Sequence, residues 1–549
     1  MDNRNYMRRN TRGLRRLARE KFGYDELRPG QEAAIKAILA GHDTLVILPT
    51  GLGKSMIYQF TTLLLSGAAI IISPLIALQR DQVEAIGEME VGEAAFINST
   101  MREAERRAVF QKLKEGKLKF LFLAPEQFNC DDILEHLKEQ PPALFVVDEA
   151  HCVSEWGHDF RPEYLRLNSV IEALGHPTVV ALTATAGPRV REEIIESLSM
   201  REPEVIVRGF DRPNIWLGVE KFYKEADKRN ALLERVLEAD KPGIVYTATR
   251  KHAEEIAQAL TDKGISAAYY HAGMRAIERE QVQEQFMDDE VEVIVATVAF
   301  GMGIDKPNVR FVYHYDISDS LDSYYQEIGR AGRDGQEAEA ILFYREEDLR
   351  IHRFFAGVGR VDIDQVGQVA KIIGFYQGPV VLQELSERTH LSRSKLAEAL
   401  SRLEEVGVVK SLPSGEVVAS EHHFDLDEAL QDAIDAHQSR REFDRSRIEM
   451  MRSYAELHAC RREFLLNYFG QESVSSCDYC DNCDAGIVVS ENGEPLPFPL
   501  NSRVQHKVWG EGLVLRYEGD KMVVLFDEVG YKTLAIEVVV SRALLTLVE

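Results

Sequence analysis

The sequence predicts an α/β protein that opens with two tandem lobes, each built around an open parallel sheet. Short apolar runs recur between helical patterns, which is typical of buried parallel strands that alternate with helices. The chain has 549 residues, and at about 150 residues per domain this length predicts several modules. Apolar residues make up 45% and charged residues 28%, which excludes a mostly disordered or membrane-embedded chain.

The apolar runs fall into two series, separated by a seam near 209–214. The first series predicts strands at 43–48, 68–73, 119–124, 143–148 and 178–183. The second predicts strands at 243–246, 267–271, 293–297, 310–315 and 338–343. Each series accounts for one lobe.

Beyond Phe343 the alternation of strands and helices stops. Three short helices and a hairpin are predicted at 363–376, 380–389, 392–406, 408–410 and 416–418. This pattern indicates a winged helix, whose third helix can expose Arg393, Lys395 and Arg402. Duplex DNA binding is the functional interpretation, and a protein-docking or purely structural module is the alternative.

The net charge of −25 argues against a polyanionic partner for the molecule as a whole. Residues 1–21 are the exception, with eight basic side chains against two acidic ones. This basic arm either contacts phosphates or forms a solvated helix face. No apolar core follows the early arginines, so we expect no secretory signal and a cytoplasmic protein.

The uncharged stretch 55–79 resembles a membrane span in length alone. Ser66-Gly67 and Ser73-Pro74 interrupt it. A helix followed by a buried strand fits this pattern better than a bilayer helix, and no membrane partner is expected.

A glycine-rich loop follows the first predicted strand. Gly51 and Gly53 allow the backbone to curl so that its N–H groups surround a phosphate, Lys54 can reach the β/γ-phosphates, and Ser55 can hold Mg²⁺. Leu48 occupies the position where the strict phosphate-loop pattern has its first glycine. A plain strand-to-helix turn is therefore the alternative.

Two carboxylates, Asp148 and Glu149, end the buried run 143–148. Acidic side chains at the carboxyl end of a parallel strand suit a nucleotide site at the edge of the sheet. Asp148 can bind Mg²⁺ through water, and Glu149 can orient and deprotonate an attacking water. The alternative is a solvated acidic turn.

Four of the six cysteines form one group near the end of the helical region 424–469. Cys477, Cys480 and Cys483 are spaced C-x₂-C-x₂-C, and Cys460 precedes them. Four thiolates complete a tetrahedral zinc site, with an iron–sulfur cluster and disulfides as the alternatives. Cys130 is interpreted as an ordinary thiol, as is Cys152.

The phosphate loop and the Asp148–His151 segment resemble superfamily-two helicases, whose phosphate loop commonly lacks the first glycine. Further segments narrow this resemblance to RecQ DNA helicases, including the zinc module with its 16-residue gap. These segments are 27–31, 73–78, 151–162, 181–186, 270–273, 296–307, 325–335 and 460–483. The resemblance implies two RecA-like lobes and ATP-driven 3′→5′ movement on single-stranded DNA. It departs from the family at the winged helix, which here precedes the zinc module.

The resemblance also assigns roles around the nucleotide. Tyr24, Arg28 and Gln31 would recognise adenine, and a glutamine amide can pair both ways with its edge. The remaining nucleotide-binding residues that it implies are Thr50, Gly51, Gly53, Lys54, Ser55, Asp305 and Gln326.

Two arginines of the second lobe, Arg330 and Arg333, would point at the phosphates held by the first lobe. Their spacing of three places them on one face of a predicted helix. A guanidinium there stabilises charge on the transferred phosphoryl group, and Arg333 is our choice for this arginine finger. The alternative for either residue is a surface ion pair.

The segment 154–164 is the predicted DNA-coupling loop. Trp156, His158, Phe160 and Arg161 follow the catalytic carboxylates closely, and aromatic and arginine side chains can stack on unpaired bases. The resemblance implies that this loop binds single-stranded DNA and couples that binding to Glu149. A packed inter-lobe loop is the alternative.

The last residues predict a small five-stranded β-barrel behind a proline-containing linker at 487–500. The segment 504–512 resembles the C-terminal Tudor-like domain of UvrD/PcrA helicases. This resemblance implies a tether for a protein such as RNA polymerase, and a capping barrel without a partner is the alternative.

The sequence as a whole predicts an ATP-dependent DNA helicase of the RecQ type that acts in repair or recombination. Its partners would be single-stranded and forked duplex DNA, and its cofactors would be ATP, Mg²⁺ and Zn²⁺. We expect a monomer that is associated with a bacterial nucleoid. A DNA-stimulated translocase or strand-annealing remodeller and a non-catalytic DNA-binding scaffold are the alternatives. The expected modules are 1–208 and 209–345 for the lobes, 346–423 for the winged helix, 424–486 for the zinc module and 501–549 for the barrel.

Overall fold

A computed structural model of the chain describes most residues in two compact units. The described residues are 11–49, 51–74, 76–98, 101–129, 131–154, 159–301, 304, 306–350, 363–376, 378–392, 395–396, 399–400, 403, 408–411, 416–419, 442–471, 476–487 and 496–548. The first unit comprises Met1–Asp348 and Met451–Glu494, and the second comprises Leu349–Met450 and Pro495–Glu549. The division therefore falls inside the predicted zinc module. Among the predicted site residues, Thr50, Trp156, His158 and Asp305 lie outside the described residues.

The first lobe contains a seven-stranded parallel sheet in the order β3-β4-β2-β5-β6-β1-β7. The five predicted strands are confirmed, and they form the central part of the sheet, where β1, β2 and β5 are buried at every residue. The strands are β1 (Thr44–Ile47), β2 (Ala69–Ile72), β3 (Glu93–Ile97), β4 (Leu118–Leu123), β5 (Leu144–Val147), β6 (Thr178–Thr183) and β7 (Glu204–Val207). The helices are α1 (Thr11–Phe22), α2 (Pro29–Ala40), α3 (Lys54–Leu64), α4 (Ile76–Glu88), α5 (Glu103–Lys114), α6 (Asp131–Glu139), α7 (Leu167–Ala173) and α8 (Pro188–Ser197).

The register of this sheet places the two predicted motif loops close together. Ile47 at the end of β1 pairs with Thr183 of β6, and Val147 at the end of β5 pairs with Ala181 of β6. The phosphate loop and the acidic pair thus leave the same edge of the sheet, with one strand between them.

The uncharged stretch 55–79 forms helix α3 and then strand β2, as predicted. Its polar residues Thr61 and Thr62 donate hydrogen bonds to backbone carbonyls within α3, at 2.9 Å to Ile57 O and 2.6 Å to Tyr58 O. Among the described residues, no helix has both the length and the apolar character that a bilayer crossing requires.

The basic arm contributes helix α1, which is amphipathic. Leu14 and Ala18 are buried. On the opposite face Arg15, Arg16 and Arg19 form exposed ion pairs with acidic neighbours. Such pairs contribute about 0–1 kcal/mol, so this part of the arm is a solvated helix face.

The second lobe contains a six-stranded parallel sheet in the order β10-β11-β9-β12-β13-β8. All five predicted strands are present, and β8 adds an edge that the sequence did not indicate. The strands are β8 (Ile215–Lys221), β9 (Gly243–Tyr246), β10 (Ala267–Tyr270), β11 (Val293–Ala296), β12 (Phe311–His314) and β13 (Ala338–Tyr344), and the helices are α9 (Glu225–Glu238), α10 (Arg250–Asp262), α11 (Ala276–Met287) and α12 (Leu321–Ile328). Two tandem parallel-sheet lobes are therefore confirmed.

The second unit has a helical part with a three-stranded sheet of order β14-β16-β15. Val369, Leu385 and Leu403 lie in its core and are completely buried. Its elements are α13 (Ile363–Gly374), β14 (Val380–Val381), α14 (Leu382–Thr389), the helical residues 395–396, 399–400 and 403, β15 (Val409–Ser411) and β16 (Glu416–Ala419). Lys395 is exposed, while Arg393 and Arg402 lie outside the described residues.

The rest of the second unit is a five-stranded antiparallel sheet of order β20-β19-β18-β17-β21. It packs against the helical residues 442–450: Tyr531 N donates to Ser446 Oγ at 3.1 Å, and the rings of Tyr531 and Phe443 stack. Gly530 lies so close that a Cβ there would sit 2.4 Å from Ser446 Oγ. The elements are β17 (Arg503–His506), β18 (Gly510–Glu518), β19 (Lys521–Phe526), β20 (Gly530–Ala535) and β21 (Leu545–Leu547), with a helix at Ile536–Ser541.

Candidate functional site

The phosphate loop joins the buried strand β1 to helix α3. Gly51 and Gly53 have φ of +81° and +73°, in the left-handed region that glycine adopts without strain. Gly53 is the N-cap of α3, so the free N–H groups of the first helical turn face the same place as the loop. Such a helix N-terminus attracts phosphate through its N–H groups and its dipole. Lys54 begins the helix and donates to Leu48 O at 3.4 Å.

The phosphate loop is bound by the N-terminal end of α2 and its N-cap residue. Gln31 donates to Leu52 O at 2.9 Å and Gly53 O at 3.2 Å, and its Oε1 accepts from Arg28 N at 3.0 Å. The Arg28 guanidinium donates to Gly51 O at 3.0 Å. In this structure both the donor and the acceptor of the Gln31 amide bind backbone, so the residue links the loop to α2. Tyr24, the third predicted adenine contact, lies four residues before Arg28, and its side chain is 44% exposed.

The acidic pair follows strand β5. Asp148 is buried, and this burial raises the pKa of its carboxyl to about 7, with the charge of Glu149 adding to the rise and Lys54 opposing it. Glu149 has φ of +49°, an uncommon backbone conformation for a residue with a side chain. Its Oε2 is buried and accepts no hydrogen bond from the described residues. An unsatisfied buried carboxylate oxygen is available to a water or an ion.

Residues that the sequence left without a role connect this pair to strand β6. His151 is completely buried, and its Nδ1 lies 2.9 Å from Thr183 Oγ1 and 3.4 Å from Glu149 Oε2. Thr183 Oγ1 in turn donates to Thr185 O at 3.1 Å. The motif segments 148–151 and 181–186 are therefore in contact, which their sequence positions alone did not show.

The two candidate finger residues do not lie on a helix, and this prediction was wrong. Helix α12 ends at Ile328, and Arg330 and Arg333 lie in the turns that follow. Gly332 has φ of +53°, and a Cβ there would lie 2.4 Å from Asn214 Nδ2. The backbone at this glycine is incompatible with a continued helix.

Arg333 nevertheless reaches the first lobe. A Cβ on Gly51 would lie 3.0 Å from Arg333 Cγ, so the side chain packs directly against the phosphate loop. Its Nη1 donates to Ile304 O at 2.7 Å. Arg330 is 4% exposed and lies close to Tyr246. Burial raises the pKa of Tyr246 to about 12, and the charge of Arg330 and its hydrogen bond to Tyr246 partly offset this rise. Gln326 lies half-buried on α12.

The described part of the predicted coupling loop is packed. Arg161 donates to Asp159 Oδ2 at 3.0 Å and to Pro74 O at 3.1 Å, so it ties this loop to the segment after β2. Phe160 is half-buried. For Arg161 this geometry favours the packed alternative over base stacking.

The four clustered cysteines converge on one point. Their Sγ atoms all lie within 4.8 Å of one another, and Cys477 Sγ is 3.8 Å from Cys483 Sγ. Sulfurs at about 2.3 Å from a tetrahedral zinc lie about 3.8 Å apart, whereas disulfide sulfurs lie about 2.05 Å apart. The thiolate set therefore fits zinc. Cys460 caps helix α15 (Arg461–Tyr468) by accepting from Glu463 N at 3.5 Å.

The zinc module contacts the second lobe along strand β8. Val219 N donates to Asp481 Oδ2 at 2.9 Å, and Trp216 Nε1 donates to Asp484 Oδ2 at 2.8 Å. Arg462 binds the segment that leads into β8 and the first residue of that strand, with three hydrogen bonds of 2.6–2.7 Å. The cysteine module is thus packed on the second lobe within the first unit.

Three sequence profiles match the chain. The profile described as DEAD/DEAH box helicase matches residues 28–194, and the helicase conserved C-terminal domain matches 227–335. The RecQ zinc-binding profile matches 422–484.

Curated relatives extend these matches. The ATP-dependent DNA helicase RecQ of Pasteurella multocida is 37% identical over 84% of this chain and 61% of its own length. The probable ATP-dependent DNA helicase RecS of Bacillus subtilis is 39% identical over 64% of this chain and 71% of its own length. The chain thus spans about three-fifths of the length of the RecQ relative.

A solved structure shares the fold. The helicase Lhr of Mycobacterium smegmatis, bound to single-stranded DNA and AMP-PNP, superposes with a TM-score of 0.51 at 20% identity, over 77% of this chain and 61% of that one. This likeness concerns the fold, whereas the sequence relatives and the RecQ zinc-binding profile place the chain in the RecQ family of helicases.

Proposed function

We propose that this protein is an ATP-dependent DNA helicase that couples hydrolysis between its two lobes to 3′→5′ movement on single-stranded DNA and to unwinding of the duplex ahead. The observation that carries the proposal is the packing of Arg333, from the second lobe, against Gly51 of the phosphate loop in the first. A catalytic site divided in this way makes hydrolysis depend on how the lobes are placed. The full-length relatives named as DNA helicases support the choice of substrate.

In the proposed reaction the first lobe binds the nucleotide and the second completes the site. The loop and the N-terminus of α3 bind the phosphates, Lys54 neutralises their charge, and Glu149 orients and deprotonates the attacking water. Ser55 and Asp148 would hold Mg²⁺, which offsets phosphate charge when bound. The site fits such an ion because carboxylate and hydroxyl oxygens are the ligands that Mg²⁺ prefers, and because the neighbouring Glu149 Oε2 is buried and accepts no hydrogen bond from the described residues. Arg330 and Arg333 stabilise the charge that develops on the transferred group.

DNA contact is proposed for the coupling loop and the helical part of the second unit. Trp156 and His158 supply stacking groups, with Phe160 beside them, whereas Arg161 acts by holding the loop to Pro74. The three helical segments and hairpin of 363–419 are consistent with a winged helix that binds duplex DNA. Because the chain is acidic overall, binding should be local and sensitive to salt.

We also propose a protein-docking role for the C-terminal barrel, with RNA polymerase as the partner suggested by its Tudor-like segment. The barrel is not a free tether, because it covers Phe443 and Met450, which are 4% and 3% exposed. Its docking surface must therefore lie elsewhere, for example at Val508, which is 79% exposed. The protein would work as a monomer on chromosomal DNA in the cytoplasm.

The decisive test compares ATPase activity and strand displacement on duplexes with a 3′ or a 5′ single-stranded tail. We expect DNA-stimulated hydrolysis and displacement of the 3′-tailed substrate only. Stimulated hydrolysis without displacement would indicate a translocase or an annealing remodeller. DNA binding without hydrolysis would indicate a scaffold, and equal stimulation by RNA would contradict the DNA assignment.

Replacing Cys480 by serine should remove the zinc and destabilise the first unit. Cys480 is completely buried, and a bound structural zinc contributes about 10–16 kcal/mol in small zinc modules. We expect close to one zinc fewer per chain by atomic absorption and a clearly lower melting temperature. Cys130→Ser, at a cysteine outside the cluster, should change neither value. Unchanged zinc content in C480S would reject the four-cysteine site, and visible absorbance of the purified protein would indicate an iron–sulfur cluster.

A further inference from the structure

The segment that carries both finger arginines has little structure of its own. It runs from Gly329 to Gln336 as successive turns after α12 and contains three glycines. Such a segment depends on tertiary contacts for its conformation, since glycine restricts the backbone least. The position of Arg333 against Gly51 is therefore set by whatever holds this finger segment (329–336).

Two side chains from the seam between the lobes hold the finger segment. Arg212 donates to Gly329 O at 3.0 Å, Ala331 O at 2.6 Å and Gly332 O at 3.0 Å. Asn214 donates to Gly332 O at 2.8 Å and to Gln336 O at 2.7 Å. The carbonyls that Arg212 binds flank Arg330 and immediately precede Arg333. A guanidinium suits these three carbonyls because its planar fork offers five donors in fixed directions, whereas the three donors of an ammonium share one nitrogen.

The zinc module holds the seam in turn. Arg462 lies two residues after Cys460, and its guanidinium is almost completely buried. It donates to Asp211 Oδ1 at 2.7 Å, to Arg212 O at 2.6 Å and to Ile215 O at 2.6 Å. Arg462 of the zinc module thus binds the backbone of Arg212, and the side chain of Arg212 binds the finger segment.

We propose that Arg212 is a positioning residue for the arginine finger, and that the zinc module controls the rate of ATP hydrolysis through Arg462 and Arg212. The inference rests on the proposed hydrolysis between the lobes. Arg212 would act through Arg333 on the transition state, because the additional charge on the phosphoryl group develops only in the transition state. Binding of ATP in the ground state would rely on the first lobe, so it should depend little on Arg212. The zinc module then serves as a rigid support whose loss loosens the finger without removing any catalytic group.

The test measures DNA-stimulated ATPase kinetics of R212A and R462A, with R212K as the variant that keeps the charge. A misplacement of about 1 Å can cost about 10²-fold in rate, so we expect kcat to fall by about that factor in R212A while KM for ATP and affinity for single-stranded DNA stay within a few-fold. R462A should lower kcat in the same way and keep its zinc. R212K should also be slow, which keeps the test valid if R212A fails to fold.

W216F is the matched control. It removes the hydrogen bond from Trp216 to Asp484, another contact of the zinc module with the second lobe, without touching the seam or the finger segment. Its kcat should equal that of the unaltered protein. An equal fall in W216F and R462A would show that loose docking of the module in general, rather than the Arg462 contact, is responsible, and would overturn the inference.

A double-mutant cycle separates positioning from general damage. If Arg212 acts through Arg333, then R212A combined with R333A should be no slower than R333A alone. Additive losses, or an unchanged kcat in R212A, would overturn the inference. If the unaltered protein itself fails to hydrolyse ATP with DNA, the proposed function fails instead, and that outcome is distinct.

Discussion

Glu149→Gln should reduce DNA-stimulated ATP turnover by about 10³-fold, the middle of the range for losing a general base, while nucleotide and DNA binding remain. The amide keeps the size of the carboxylate but accepts no proton. The native carboxylate is suited to this role because its Oε2 is buried, accepts no hydrogen bond from the described residues and lies 3.4 Å from His151 Nδ1. Turnover would be measured with saturating single-stranded DNA and ATP, and binding with a fluorescent nucleotide.

Glu172→Gln is the control for this variant. Glu172 is a half-exposed carboxylate of the same lobe that pairs with His176 and Arg201 at the surface. Its replacement should leave turnover unchanged. Retained turnover in E149Q would reject the assignment of Glu149 as the base, and loss of nucleotide binding would show that the residue supports the fold of the site instead.

The sequence was most informative where strands are buried. Strands β1, β2 and β5 are buried at every residue, and the carboxyl ends of β1 and β5 deliver Lys54 and Glu149 to one edge of the sheet. The strands that sequence reasoning missed are edges. Strand β7 (Glu204–Val207) has no fully buried residue, and β8 (Ile215–Lys221) ends in charged side chains. Such half-exposed edges give a weaker signal than the central strands, although β8 itself begins with the apolar residues 215–219.

Contacts between residues distant in sequence were also beyond prediction. Arg212 and the carbonyls that it binds are 117–120 positions apart, and Arg462 lies 250 positions after Arg212. Side chain–backbone bonds of this kind leave no pattern in hydrophobicity or spacing. The helix predicted for Arg330 and Arg333 failed for a local reason, since the left-handed backbone at Gly332 ends any regular helix there.

The interruption of the first unit gives these contacts a physical meaning. The chain leaves the first unit after Asp348 and returns to it at Met451, and the returning segment carries Tyr454 and the zinc module. The hydroxyl of Tyr454 lies 3.2 Å from that of Tyr324 on α12, the helix that leads into the finger segment. The first unit is therefore completed by residues that lie more than a hundred positions after Asp348. These residues contact both α12 and the seam that holds the finger segment.

Arg333→Ala should lower kcat for ATP by about 10³-fold or more, the lower end of the effect of an arginine finger, with little change in nucleotide affinity. The reason is geometric. Arg333 belongs to the second lobe, yet it packs on Gly51 of the phosphate loop, so it brings a positive charge from the second lobe to the phosphate loop of the first. R333K should recover little of this rate, because an ammonium cannot form the planar contacts of a guanidinium. Arg229→Ala is the control, at an exposed arginine of the same lobe that donates to Glu255 O at 3.5 Å, and it should retain full activity. A kcat for R333A within a few-fold of the unaltered protein would exclude Arg333 as the finger and leave the buried Arg330 as the remaining candidate.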